Sequence, residues 1–396
     1  MSDTRKRKEE KPVLAICYDF DKTLSPDDMQ AQGYIQEVYD GDVPTFWKES
    51  NEVAEENEMD SNLAYMYKMV QEAQGRIVFN KKTLEDYGSK VSLFPGVEEW
   101  FERIKKYGTE HGVIIEHYII SSGLKEMIEG TSVAKAGVFE KIYASSFLYN
   151  ERGVAIWPAQ AINYTNKTQF LFRIEKGVLD VNDSGVNDFF APEDIRVPFR
   201  NMIYIGDSDT DVPCMKLVNS YGGHAIGVYN NSTFDKTKVY KMMHDNRIKF
   251  FAPTDYSEGT ELDKLVKAII DRTGSNEILE NIHFTCKKER EQNDIKIQNN
   301  DVKRRKLDLI LSLNGSGSFF TTHTTIKELS NFDMWEEDEI EMLLDIAINN
   351  SQVRYVLNDI DIKLFYRSII KNMSKPTAKS KEVEKCFEKN SQLKNH

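Results

Sequence analysis

Asp19 and Asp21, two residues apart, stand where an apolar run ends abruptly, in the fragment Asp19-Phe20-Asp21-Lys22-Thr23-Leu24. Three more fragments follow in order: Ile119-Ile120-Ser121-Ser122-Gly123, Asn166-Lys167-Thr168, and Ile205-Gly206-Asp207-Ser208-Asp209-Thr210-Asp211. Together they offer the groups that phosphoryl transfer demands. A phosphate ester repels an anionic nucleophile, so a cation must lie between them, and Mg2+ takes hard oxygen ligands in octahedral geometry. Asp19 and Asp207 are expected to grip it, with the backbone carbonyl of Asp21 as a further ligand and Asp211 bracing the metal's waters. Asp19 is also the expected nucleophile, forming an aspartyl-phosphate and so dividing one hard displacement into two easier ones. Asp21 is expected to protonate the leaving oxygen and later to deprotonate the hydrolytic water. Ser121, the backbone N–H groups around Ser122 and Gly123, and Lys167 at a helix start supply donors for the remaining phosphate oxygens.

Singly, each of these residues has an ordinary structural reading. Asp19 alone is a strand-end carboxylate capping a turn, and Asp207 with Asp211 is an acidic pair of the kind a helix N-terminus attracts. Order and spacing outweigh those readings. Ser121 is preferred to Ser122 because it directly follows the apolar run, and Lys167 is preferred to Lys176. Thr23 is expected to hold its loop, and Asp209 to be a loop residue. His117, His224 and His323 have no partners at metal-binding spacing and read as structural. Trp47, Tyr65 and Tyr67 read as packing residues, with a substrate pocket as the competing role.

These fragments need a scaffold. Val13–Asp19 reads as a buried parallel strand, and further strand-like runs lie at Glu116–Ile120, Lys141–Ser145, Met202–Ile205 and Ala225–Val228, with a weaker one at Ile248–Ala252. Helical patterns separate several of them, which implies βαβ units and a parallel sheet. In such a sheet ligands bind beyond the carboxyl ends of the strands, so the four fragments can meet at one place. Residues 28–92 carry apolar positions at helical spacing and read as a helical insertion. The turn residues Tyr149-Asn150-Glu151-Arg152-Gly153 suggest a hairpin. Residues 1–11 read as a disordered tail and 12–274 as the core, with Gly274-Ser275 closing the pattern. Residues 275–325 read as a linker or exposed helix. Residues 326–396 read as a small helical module, Glu336–Asn349 and Asp359–Lys371, ending in a mobile tail.

Composition sets outer bounds. The 396 residues exceed one ordinary domain, and 40% hydrophobic content can build a core. The net charge is −12, and nearly all the excess lies before residue 275. That balance argues against nucleic-acid binding, where a basic face is expected. It leaves a small phosphorylated substrate open, because bound metal inverts the local field. Cys17, Cys214, Cys286 and Cys386 lack CxxC spacing and read as reduced thiols. The charged start resembles no signal peptide and no run suits a membrane span, so a cytoplasmic protein without membrane contact is expected.

Taken together, the four fragments resemble the DxDxT, Ser/Thr, Lys and GDxxxD motifs of the haloacid dehalogenase-like (HAD) hydrolase superfamily, within it the phosphoserine-phosphatase-like branch. The resemblance covers roughly residues 13–272. It implies an α/β fold with a Rossmann-like parallel sheet core and an inserted α-helical cap, Mg2+ as cofactor, and an aspartyl-phosphate mechanism. The second aspartate, Asp21, marks phosphatases, since dehalogenase members lack it. The stretch from Lys167 to Asp207 is longer than the family's usual spacing, with an insertion near 178–200, and residues beyond 275 lie outside the family core. The expected activity is hydrolysis of a phosphomonoester on a small metabolite, since a cap restricts macromolecules. Mutase-like phosphoryl transfer is one alternative. Another is a phospho-ligand-sensing regulatory protein whose region 275–396 binds a protein partner.

Overall fold

β1 (Val13–Tyr18) is buried along its whole length, and its alternating side chains feed two separate cores. Leu14, Ile16 and Tyr18 join one apolar cluster, while Val13, Ala15 and Cys17 join another on the opposite face. A strand covered on both faces is apolar at every position, which is why it reads as a continuous run rather than an alternation. The computed structural model describes residues 5–389, except for the side chains of 295–299 and 388–389. It forms two compact units, one up to residue 282 and one from residue 283.

In the first unit β1 pairs in parallel with β2 (Ile114–Leu124) on one side and β5 (Met202–Gly206) on the other. β3 (Lys141–Tyr149), β4 (Ala155–Gln160), β6 (His224–Tyr229) and β7 (Phe250–Pro253) complete the seven-stranded order β4-β3-β2-β1-β5-β6-β7. Only the β3–β4 pairing is antiparallel, and it is the hairpin that the turn residues predict. The chain leaves β1 toward β2 on one side and later returns to β5 on the other. The crevice beyond the carboxyl end of β1 is therefore the topological switch point. The weak strand expected at 248–252 is placed two residues later, because Ile248 packs into the second core from the preceding loop.

The helical insertion lies where expected. It comprises a short 3-10 turn at Met29–Ala31, then α1 (Tyr34–Val38), α2 (Val43–Glu56), α3 (Ser61–Ala73) and α4 (Lys81–Gly88). Asp42, Asp60 and Asn80 cap the starts of α2, α3 and α4 with their side chains. The insertion leaves and rejoins the core at one point, where the N–H of Phe94 donates to the carbonyl of Leu24 at 2.9 Å. After it, α5 (Val97–Glu110) leads into β2, and the helix expected after β2 is split by Gly130-Thr131 into α6 (Lys125–Glu129) and α7 (Ser132–Lys135). α8 (Thr168–Lys176), α9 (Val212–Ser220) and α10 (Thr237–His244) cover the second core.

Several boundaries differ from the sequence reading. Of the expected disordered tail, residues 1–4 lie outside the described residues, while Arg5 to Lys11 are tied down. Lys6 donates from its backbone to Gly177 and from its ammonium to Glu116 and Glu140. Of the two readings for 275–325 the exposed helix holds up to residue 314, but it runs through the boundary expected at 274 as one helix, α11 (Glu261–Asn314), which begins in the first unit and ends in the second. Among its described side chains it exposes Ile278, Leu279, Ile282 and Val302 beside charged residues, and it buries Lys306 and Ile310 near its end. A helix with no apolar stripe gives no periodic signal.

The second unit packs the end of α11 with α12 (Phe319–Leu329), α13 (Glu337–Asn349), α14 (Ser351–Val356), α15 (Ile360–Lys371) and α16 (Ala378–Lys389) around Leu313, Leu329, Leu343, Leu344, Tyr366 and Val383. Part of the expected mobile tail is thus the packed helix α16, and residues 390–396 lie outside the described residues. Among the described residues no helix is long and apolar enough to cross a membrane. Cys17, Cys214, Cys286 and Cys386 are free thiols.

Candidate active site

The register of the sheet decides which side chains meet. Tyr18 is level with Ile119 of β2 and Ile205 of β5, so Asp19, Ser121 and Asp207 emerge at one edge. The N–H of Asp19 donates to the carbonyl of Ile205 at 2.9 Å and holds β1 and β5 together to their tips. There the carboxylate oxygens of Asp19, Asp207 and Asp211 lie within 4.8 Å of one another. Lys167, fully buried at the start of α8, reaches across to donate to Asp19 Oδ1 at 3.1 Å and Asp211 Oδ1 at 2.8 Å. The alternative, Lys176, points away and donates to the carbonyls of Val186 and Asp188 in the 178–200 insertion.

Asp211 is the most constrained of the three carboxylates. Tyr204 donates to its Oδ1 at 2.8 Å, and the N–H and hydroxyl of Ser208 donate to Oδ2 at 3.3 and 3.2 Å. A side chain at Gly206 would strike this carboxylate, so the glycine makes room for it. Asp209 is exposed in the turn, as a loop residue. The Asp21 side chain stands outside the three-carboxylate cluster and accepts the N–H of Met29 at 2.8 Å, the first contact between the site and the cap. A Cβ on Gly123 would come 2.8 Å from Asp21 Oδ2, so the glycine allows the two loops to approach. Ser121 is buried, and its Oγ accepts the N–H of Gly123 at 3.1 Å, leaving its own proton free to donate.

Burial sets the electrostatics. It pushes Asp19 up to about 6, against the pull of Lys167 and with the help of Asp211. It pushes Asp207 up to about 8, reinforced by Asp211 and Asp19. Asp21 is raised by burial and then by Asp28 and Asp19. Burial opposes the charge on Lys167, but Asp19 and Asp211 outweigh it and keep the ammonium protonated. Three clustered carboxyl groups share one buried ammonium, so the cluster is short of positive charge. Their hard oxygen donors are those a cation such as Mg2+ takes, so the residues fit that ion, with Asp19 and Asp207 free to ligate and Asp211 already occupied by its own donors. A cleft of about 220 Å³ opens onto Asp207 and is lined by Lys22, Phe94, Tyr229, Asn230 and Lys238.

Four residues that the sequence reading passed over complete the surroundings: Tyr204, Ser208, Ser145 and Asn62. The carbonyl of Ser122 accepts the hydroxyls of Tyr65 at 2.8 Å and Ser145 at 3.1 Å, and Asn62 at 3.5 Å. Asn62 and Tyr65 are successive turns of α3 in the cap, so that helix lies against the Ser121–Gly123 loop. Tyr65 packs edge-on against Trp47, whereas Tyr67 is half exposed on another face of α3. His117 is buried between the Tyr18 hydroxyl and the Phe101 carbonyl, and His323 lies between Asp359 and Asp361 in the second unit. None of these polar partners was signalled by spacing.

The comparisons with known proteins follow this geometry. A family model for haloacid dehalogenase-like hydrolase matches residues 16–216. An uncharacterized protein of Borreliella burgdorferi is 26% identical over 284 residues, which are 64% of this chain and 95% of that protein. Among solved structures, a HAD family hydrolase from Salmonella enterica serovar Typhi aligns at TM-score 0.44 and 16% identity, covering 66% of this chain and 73% of that one. A phosphoserine phosphohydrolase-like protein from Francisella tularensis aligns at TM-score 0.35 and 18% identity, covering 60% and 94%. The family model runs through half of the chain, from the first strand past the last clustered aspartate, and this chain belongs to the haloacid dehalogenase-like hydrolases.

Proposed function

We propose that this chain hydrolyses a phosphomonoester of a small molecule with a divalent metal, Mg2+ being the expected ion. The observation that carries this reading is the convergence of Asp19, Asp207, Asp211 and Lys167 at the carboxyl edge of β1 and β5, with Asp21 two residues from Asp19. Mg2+, held by Asp19 and Asp207, would shield the nucleophile from the phosphate charge.

Asp19 Oδ attacks phosphorus while the bond from phosphorus to the ester oxygen breaks. Asp21 gives that oxygen its proton, and the alcohol leaves. Water then attacks the phosphorus of the aspartyl-phosphate, Asp21 takes its proton, and inorganic phosphate is released with Asp19 restored. Lys167, the Ser121 hydroxyl and the backbone at Ser122 and Gly123 hold the phosphoryl oxygens throughout. A small substrate is supported by the cap contacts of Met29, Asn62 and Tyr65, which lay the cap against the Asp21 and Ser121–Gly123 loops.

The test is phosphate release from a panel of phosphorylated metabolites with and without EDTA. Chelation should stop turnover, and Asp19→Asn should reduce it below about 1% of wild type with the fold intact. Wild-type-like release by Asp19→Asn would remove Asp19 as nucleophile. Formation of an isomer instead of free phosphate would make the reaction a transfer.

A further inference from the structure

The Ser122–Gly123 peptide carries hydrogen bonds on both sides. Its carbonyl oxygen accepts Tyr65 Oη–H from the cap at 2.8 Å and Ser145 Oγ–H from β3 at 3.1 Å. Its N–H, on Gly123, donates to Ser121 Oγ at 3.1 Å. In a trans peptide the C=O and N–H point in opposite directions, so fixing one aims the other. The result is an unbroken chain, Tyr65 O–H to Ser122 C=O, Gly123 N–H to Ser121 Oγ, whose last free proton is that of the Ser121 hydroxyl. Serial hydrogen bonds polarise one another in a low-dielectric setting, each accepted proton making the next donor stronger. Tyr65 and Ser121 are both buried.

The donors at its head have two origins: Ser145 from the core, and from the cap Tyr65 with the Asn62 amide behind it at 3.5 Å. Ser145 is a core residue, itself held by the N–H of Ile162 at 3.1 Å. Tyr65 belongs to α3 of the cap, which lies on the core in this structure. Ser145 satisfies the carbonyl from within the core, and Tyr65 adds a donor from the cap.

We propose that Tyr65 is a positioning residue that makes the Ser121 hydroxyl a stronger donor to the phosphoryl group when the cap is shut. This rests on the phosphohydrolase reading above. The cap then does more than cover the substrate: its arrival completes the donor set, so the site reaches full strength only when water is excluded. Tyr65 touches no reacting atom, and its effect passes through the peptide.

The experiment is a double-mutant cycle on the full chain with p-nitrophenyl phosphate and Mg2+. Tyr65→Phe keeps the ring against Trp47 and leaves the Ser122 carbonyl bonded to Ser145, so the variant should fold and melt near the wild type. Its kcat should fall about 5- to 10-fold with KM within about twofold, as loss of one hydrogen bond felt in the transition state requires. In a Ser121→Ala background the same substitution should change kcat less than about twofold, because the chain no longer ends in a hydroxyl. An equal loss in both backgrounds would show a plain cap latch and overturn the proposal, as would an unchanged kcat in the single variant. A wild type inert toward p-nitrophenyl phosphate would instead strike the hydrolase reading, a result that no behaviour of Tyr65 could imitate.

Discussion

The separation of roles among chemically similar carboxylates comes from their immediate neighbours. Asp211 is saturated by Lys167, Tyr204 and Ser208, whereas Asp207 pairs loosely with Lys238 at 3.9 Å, and Asp21 accepts a backbone N–H from the cap. Glycines decide whether those neighbours fit. Gly123→Ala should push Asp21 or Met29 aside and lower kcat roughly 10- to 100-fold, as an ångström-scale misplacement of an acid/base does, while thermal unfolding stays near wild type. Unimpaired turnover in that variant would mean that Asp21 needs no fixed position. The aspartates were legible because Asp19 with Asp21, and Asp207 with Asp211, lie close in sequence beside strand ends. Tyr65 was not legible as a partner of Ser122, since 57 residues separate them and only tertiary packing joins them. Tyr204 sits in a buried strand, where an aromatic reads as core whether or not its hydroxyl has work to do.

Elements carry those residues, and one close helix contact between cap and core is that of α4 with α6. A side chain on Gly88 at the end of α4 would run into the Met127 carbonyl of α6, and one on Gly130 would run into the Glu85 carbonyl. These obstacles are backbone and cannot rotate away. Gly88→Ala should therefore cost about 1–3 kcal/mol, seen as a lower Tm, and an unchanged Tm would show that the helices can separate freely. The strands were legible because a parallel strand covered on both faces is apolar throughout. The hairpin was legible from its turn residues. α11 was legible only as one of two readings and not as continuous through 274, since its exposed middle lacks an apolar stripe and Gly274 within it imitates a helix stop. α12, α14 and α16 were missed because each gains its definition by packing in the second unit.

At the scale of the whole molecule, the two edges of the sheet do different work. The carboxyl edge holds the aspartates. At the opposite edge Glu116 accepts Arg196 at 2.7 and 2.8 Å, Lys6 at 2.6 Å and Tyr118 at 2.6 Å, fastening the N-terminal segment beneath β2. Burial would raise the Glu116 carboxyl, but Arg196 and then Lys6 overcome it and hold it at about 2. A depressed carboxyl contributes stability that is complete above its ordinary value near 4.5 and is lost as pH falls toward about 2. Glu116→Gln should thus be less stable than wild type by roughly 3 kcal/mol at pH 7, with the gap closing below about pH 4.5. A gap independent of pH would assign the loss to packing instead of charge.

The central claim concerns the other edge, and its most direct measurement is a crystal structure with Mg2+ and beryllofluoride, which mimics a phosphoryl group on a carboxylate. Beryllium should be bonded to Asp19 Oδ, with one cation gripped by the Asp19 and Asp207 carboxylates and Lys167 on a fluoride. Beryllofluoride on another residue, or a cation that leaves Asp19 unligated, would contradict the account.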